Sequence, residues 1–430
     1  MPNRPPVVAP VRSATPTAGA ATAPAERLPP GMRRDEVVLL LVLAALQFCH
    51  IVDFMMVMPL GPRIMDGFAG VGPTEFAYLV SVYAGAAFVA SVATAGFVDR
   101  FDRRTVLLWA HVGFTAGTLA CGLSDSFALL LAARGVAGAF GGLIATQVLA
   151  IVGDYFPPER RGRAMGIVMT AFSAASVVGV PAGINLAAWQ GWRAPFLVVG
   201  ALAVVVGAVA YFTVPVLRGH IRSGDGPPEG ALELFRGVLH NPNQLLALAF
   251  TVVLMLGHFT VIPFIATYLQ LNLGLGDGQI SIMYALGGAL TVFSLPFIGK
   301  LVDRFGPHKV FTYGSLATMA VIVATTNLPA RLPFGFVLVV TGFFFIASGG
   351  RTVPALTLVT GVVRPENRGG FMSLRASFNQ AGMGLASLIS GLIIGQTATG
   401  ALTGYGTVGW VAVGLSGVAV WLGLRLRAVA

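Results

Sequence analysis

Charge is what this chain has least of. Only 10% of its 430 residues are Asp, Glu, Lys or Arg, against about 25% in an average soluble domain. A chain this poor in charge cannot cover a water-soluble globule with polar surface, so its outer surface is expected to face lipid. The two cysteines, Cys49 and Cys121, both lie inside apolar runs, which excludes a disulfide framework and any metal-ligand spacing. No Gly-rich phosphate loop ending in Lys-Ser/Thr occurs, so ATP-driven transport has no support. The loops contain no Ser/His/Asp grouping, which leaves an enzyme without machinery, and no cofactor or metal is expected. No cleavable signal peptide is expected either: the first apolar run, from Val37, is long enough to stay in the membrane. The net charge of +10 is scattered in short clusters between apolar runs, so nucleic acid is not an expected partner.

What is abundant is apolar sequence, at 56% of the residues and a mean hydropathy of +0.81. A hydrocarbon core about 30 Å thick needs about 20 apolar residues in a helix. Twelve such runs occur, near 37–60, 76–97, 105–123, 127–152, 164–187, 194–216, 244–271, 279–301, 307–328, 333–361, 370–396 and 405–424. They predict spans 1 to 12 of an all-α polytopic membrane protein. Residues 1–33, rich in Pro, Ala and Thr, read as a disordered tail. Residues 217–243, the only long interior polar segment, divide the chain into six-span halves at 34–216 and 244–430.

Lys and Arg counts orient the chain. Of 27, three lie in alternate loops (Arg63, Arg193, Arg331) and three inside spans (Arg134, Arg351, Arg375), which leaves 21 on the other side. Both termini are therefore expected in the cytoplasm, with the chain crossing the cell membrane as a monomer.

The halves repeat. Val98-Asp99-Arg100-Phe101 returns 204 positions later as Val302-Asp303-Arg304-Phe305. Pro158-Glu159-Arg160-Arg161-Gly162 has its counterpart in Pro365-Glu366-Asn367-Arg368-Gly369. Small residues at four-residue spacing, Gly113/Gly117, Gly138/Gly142 and Gly391/Gly395, allow close helix approach in lipid. Such spacing serves dense packing or a sliding interface.

Twelve spans in two sixes, with an Asp-Arg loop after spans 2 and 8, resemble the major facilitator superfamily. That family's loop reads G-x-L-x-D-R-x-G-[RK]-[RK]. Gly299-Lys300-Leu301-Val302-Asp303-Arg304-Phe305-Gly306 keeps most of it, whereas the first copy has Ala95 and Asp102 where the glycines belong. A finer resemblance is to the twelve-helix drug:proton antiporter and sugar-efflux branch. It rests on Asp53-Phe54-Met55-Met56-Val57-Met58-Pro59-Leu60-Gly61-Pro62 and Gly179-Val180-Pro181-Ala182-Gly183, followed by Gly191-Trp192-Arg193. The span 5 motif departs from the family's, with Ala175 at its first glycine and the proline one place late. The resemblance implies two pseudo-symmetric six-helix bundles that rock about a substrate site near the midplane.

Charged residues inside spans are functional candidates by default. Of 17 acids only Asp53 is well inside one. It must face a cavity or a partner; a proton-coupling role and a permanent ion pair both fit. His50, one turn earlier, shares its face. Arg134 is the expected partner: Asp53 lies seven residues before Leu60, and Arg134 seven after Phe127, which gives equal depths. Arg134-Gly135-Val136-Ala137-Gly138 also matches the family's span 4 motif, whose arginine is implicated in proton transfer.

Asp154 ends span 4 level with the first Asp-Arg loop. The family resemblance implies a cytoplasmic latch of Asp99, Arg100, Arg103, Arg104 and Asp154, with Asp303 and Arg304 in the second copy. Ordinary positive-inside anchoring would also explain Arg100 and Arg104. Arg351 is expected to line the cavity and meet an anionic or strongly polar substrate group; Arg375 either does the same or snorkels to the interface. Gln47, His258, Asn379 and Gln380 are further cavity candidates, with His258 equally readable as a hydrogen-bonded packing residue. These residues point to a proton-coupled secondary transporter that exports a small organic compound, drug-like or sugar-like. An uptake symporter on the same fold, and a transporter-like sensor without turnover, are the alternatives.

Overall fold

The computed structural model describes residues 32–94, 98–218, 237, 238, 240–364 and 368–429. Most of the expected tail and of the 217–243 linker lies outside the described residues, as does the side chain of Asp99. Eleven described helices are long and apolar enough to cross a membrane. In the first half these are span 1 (Arg34–Met56), span 2 (Pro73–Thr94), span 3 (Arg103–Gly122), span 4 (Phe127–Tyr155), span 5 (Glu159–Gln190) and span 6 (Ala194–Thr213). In the second half they are span 7 (Pro242–Leu273), span 8 (Asp277–Phe305), span 9 (Pro307–Thr326), span 10 (Phe334–Gly361) and span 12 (Tyr405–Arg425). Span 11, Arg368–Ile393, is a helix of 26 residues. It is the most polar of the twelve, because Ser373, Arg375, Ser377, Asn379 and Gln380 crowd its first half. Twelve crossings put the start of span 1 and the end of span 12 on one face, the terminal face; the opposite one is the distal face.

Prolines set the breaks that hydropathy hides. Span 1 was expected to run to residue 60, but its helix ends at Met56. Pro59 has no N–H to donate and its ring crowds the preceding turn, so Val57–Leu60 forms turns before a short helix, Gly61–Asp66. Span 7 breaks at Thr260–Val261, just before Pro263. Span 5 holds a π turn at Ala175–Gly179, directly ahead of Pro181. There the missing proline N–H frees a carbonyl, and the helix takes in an extra residue. Span 11 was expected to reach 396, yet Gly395 and Gln396 instead pair with Thr403 and Leu402 in a small antiparallel hairpin.

The glycine pairs mark close helix contacts. Gly117 abuts the backbone of Ala137, Gly138 the backbone of Tyr83, and Gly391 the side chain of Ala77 in the other half. Between the halves, span 2 runs along span 11, and span 5 packs on span 8 where Gly288 meets Ser176 and Val177.

Among the described residues, every hydrogen bond and ion pair joining the halves lies toward the distal face. Thr74 Oγ1 donates to the Gly391 carbonyl at 2.8 Å, and Ser387 Oγ to that of Ala77 at 3.0 Å. Arg63 makes a two-pronged pair with Asp277, at 2.7 and 2.6 Å, joining the span 1–2 connection to the start of span 8. Phe76 meets Phe264 edge-on beneath it, with centroids 5.5 Å apart. The polar ties between the bundles therefore gather at the distal face, which they close, while nearer the terminal face Phe88 of span 2 meets Phe378 of span 11 edge-on, with centroids 5.6 Å apart.

The Arg63–Asp277 tie is testable. Its two side chains are 31% and 26% exposed, so the pair is worth about 1 kcal/mol. Asp277→Asn should raise the population open at the distal face about fivefold. Distances between spin labels at the exposed positions Asp66 and Gly278 would lengthen in that fraction.

Candidate functional site

Asp53, in the last turn of span 1, and Arg134, two turns into span 4, meet in a site sealed from solvent. Arg134 Nη1 donates to Asp53 Oδ2 at 2.7 Å, and both side chains are 0% exposed. Thr118 of span 3 donates to the other carboxylate oxygen at 3.2 Å. The guanidinium lies 4.2 Å from the ring centroid of Tyr83 in span 2, a cation–π contact strengthened by desolvation. Tyr83 Oη is 2.7 Å from His50 Nδ1, whose ring stacks on the tyrosine. Four spans therefore converge on one charge pair.

Two glycines make room for this cluster. A Cβ at Gly141 would fall 2.6 Å from both His50 Nδ1 and Tyr83 Oη. One at Gly179, in the span 5 motif, would collide with Val52, the neighbour of Asp53. Gly183 continues that face toward Met56, whereas Pro181 shapes the π turn. Arg134 Nε and Nη2 have no hydrogen-bond partner among the described residues, so the cation is held by Asp53, through its carboxylate and its backbone carbonyl at 3.4 Å, and by an aromatic face.

The terminal-face constellation is only partly assembled. Arg103 Nε meets Asp154 Oδ2 at 3.0 Å, the two residues that the family resemblance placed in one constellation. Arg104 instead donates to the Tyr211 carbonyl and lies over that residue's ring. Arg100, Asp303 and Arg304 are exposed, and Arg304 rests 5.2 Å from the ring of Phe305. The Arg103–Asp154 pair lies within the first half. A terminal-face tie that the sequence reading missed is Arg160 with Glu36, paired at 2.9 and 3.0 Å between the start of span 5 and the start of span 1. Arg160 belongs to the repeated Pro-Glu-Arg-Arg-Gly segment, so the repeat flagged it; nothing in the sequence pointed to Glu36, which sits beside the tail.

Arg351 corrects an expectation. Instead of lining a cavity it is 1% exposed and held within its own bundle. It donates to the Leu254 carbonyl of span 7 at 3.1 Å and to Ser416 Oγ of span 12 at 3.2 Å. Ser416 is drawn close because its neighbour across the contact is Gly257. His258 likewise packs inward, 2.7 Å from Ser348 Oγ and stacked on Phe344. Gln47 is buried with Oε1 unpartnered among the described residues. Asn379 reaches Met383 Sδ at 3.5 Å, and Gln380 and Arg375 are half-buried. Tyr83 and Thr118 were missed because Tyr and Thr in apolar runs are too common to stand out.

The sealed ion pair joins helices, and no grouping for bond chemistry lies beside it among the described residues. The Major Facilitator Superfamily model matches residues 43–346 and 247–429. The chain belongs to that superfamily. It is a multi-pass membrane transporter of small molecules and not an enzyme. Among curated proteins it is 29% identical to the uncharacterised MFS-type transporter YceJ of Bacillus subtilis, over 82% of this chain and 88% of that one. It is 28% identical to a chloramphenicol resistance protein of Streptomyces lividans, over 56% of this chain and 63% of that one. Its fold is similar to that of a bacterial homologue of the lysosomal transporter Spinster in an inward-facing, unoccupied conformation. That match has a TM-score of 0.70 and 22% identity and covers 84% of this chain and 83% of the other. A D-xylose–proton symporter matches with a TM-score of 0.71 at 14% identity, over 91% and 97%.

The pair predicts non-additive energetics. Asp53→Asn or Arg134→Gln alone should destabilise the protein by about 3–5 kcal/mol, since each leaves the other charge buried and alone. The double variant should cost much less than the sum, read from thermal unfolding in lipid nanodiscs. Arg351→Gln should lower stability by about 1–3 kcal/mol through its lost bonds and leave substrate preference unchanged in transport assays.

Proposed function

We propose that this superfamily member is a proton-coupled secondary transporter and that Asp53 carries the proton. The observation that supports this most is the sealed Asp53–Arg134 pair at the convergence of spans 1 to 4. Separating two buried charges costs several kcal/mol unless one is neutralised. Protonation of Asp53 removes the charge that holds Arg134 and lets spans 1 and 4 shift apart. Proton uptake and bundle movement are then one linked equilibrium, which either event can bias. Tyr83 and His50 steady the arginine while the carboxylate is neutral. Thr118, a hydroxyl that donates or accepts, serves both protonation states.

Export of a small organic compound is the direction we favour. It is supported by the span 1 and span 5 motifs and by the likeness to a chloramphenicol resistance protein. With Lys and Arg concentrated on the terminal face, that face is taken as cytoplasmic, and the distal closure at Arg63–Asp277 makes this an inward-facing state. The six-span units, 34–216 and 244–430, move as the two rocking bodies. Arg103 and Asp154 brace the first unit when the terminal face closes.

Reconstitution tests the coupling. Proteoliposomes loaded with a pH dye and given an outward substrate gradient should show substrate-dependent proton movement with the wild type. Asp53→Asn should reduce it at least tenfold while counterflow exchange of the substrate persists. Equal proton movement in the variant would remove Asp53 from the mechanism. Substrate accumulation in everted vesicles, driven by an acid interior, distinguishes export from uptake.

A further inference from the structure

Of the three arginines inside spans, two are engaged: Arg134 by Asp53, and Arg351 by Leu254 and Ser416. Arg375 is not. It forms no hydrogen bond or ion pair among the described residues, and its Nε is sealed from solvent without a partner. It lies seven residues into span 11, about 10 Å below the terminal face. The described acids of its half are Asp277 and Asp303, at opposite ends of span 8, and neither is within ion-pair distance. A guanidinium partly withdrawn from water with no counter-charge is costly, which calls for an anion brought from outside.

The faces of span 11 give its location. Leu385 and Leu392, 49% and 74% exposed, mark the lipid side, whereas Phe378 nearer the terminal end meets Phe88 of span 2 edge-on. Ser387 bonds to Ala77 of span 2, and Gly382 abuts Val252 and Met255 of span 7. Arg375 and Asn379 continue the Gly382 face toward the terminal end, and Gln380 continues the Ser387 face. All three lie beyond Ser387, the last hydrogen-bonded tie between the bundles on this helix among the described residues, where Phe378 on Phe88 is the remaining ring contact between them.

Building on the transporter reading above, we propose that Arg375 and Asn379 form an anion-binding subsite and that the substrate class is a small amphipathic organic anion, such as a carboxylate. Arg375 supplies the charge-assisted hydrogen bonds. Asn379, whose amide otherwise reaches only a thioether, supplies a neutral one. The apolar surroundings take the rest of the molecule. Arg351, first expected in this role, is ruled out by its own bonds.

The test reads local charge directly and does not depend on proton coupling or direction. In a Cys49→Ala/Cys121→Ala background, Asn379→Cys is labelled in nanodiscs with an anionic sulfonatoethyl methanethiosulfonate and a cationic trimethylammonium-ethyl one. The anionic reagent should react about tenfold faster relative to its rate with a free thiol, and adding Arg375→Gln should abolish that preference. At 10 mM, 2-naphthoate should protect the cysteine and 2-naphthamide should not. An unreactive cysteine, or a reactive one without charge preference, overturns the subsite; the latter is the result if a lipid phosphate neutralises Arg375. Equal protection by the two naphthyl compounds, or protection by neither, overturns the substrate class.

Discussion

The contact on which the first bundle depends is a single buried ion pair, Asp53 with Arg134. Each member would be untenable alone in a water-free site. Spans 1 and 4 can therefore pack tightly only while the pair is intact. Everything around the pair limits its freedom. Thr118 fixes one carboxylate oxygen, Tyr83 covers the guanidinium, and His50 orients Tyr83. The glycines at 141 and 179 let the backbones come close enough for this to happen.

The second bundle treats charge differently. Its deep arginine, Arg351, is tied to a carbonyl and a hydroxyl, neutral acceptors that carry no proton to exchange. His258 is held by a hydroxyl and an aromatic ring. Duplication has thus given two bundles of one architecture with unlike interiors. One holds a titratable pair. Among the described residues, the other holds cations in its interior and acids only at the ends of span 8.

The number of spans was legible because a long apolar run fits little besides a helix in lipid, and the rare charges inside such runs were legible for the same reason. Asp53 and Arg134 stood out as exceptions, and equal depth was enough to pair them. Arg351 stood out equally, but hydropathy does not say which way a side chain points around a helix. Its partners, a backbone carbonyl and a serine, leave no trace in a pattern of charges. The Arg63–Asp277 tie was hidden because both residues sit at span ends, where charge is ordinary. Hydropathy is blind to a missing N–H, so it hid the early end of span 1 before Pro59 and the breaks within spans 5 and 7 at Pro181 and Pro263.

The π turn at Ala175–Gly179 has a mechanical meaning of its own. It holds one residue more than the α-helix on either side can accommodate. That surplus keeps the distal part of span 5 in register with span 1 and, through Ser176 and Val177, with Gly288 of span 8. Expelling it would turn one part of the helix against the other by about 100°. Gly179 would leave Val52, and both contacts would be lost together. A slip of one residue at the centre of this helix would therefore reach the Asp53–Arg134 site and the partner bundle at once.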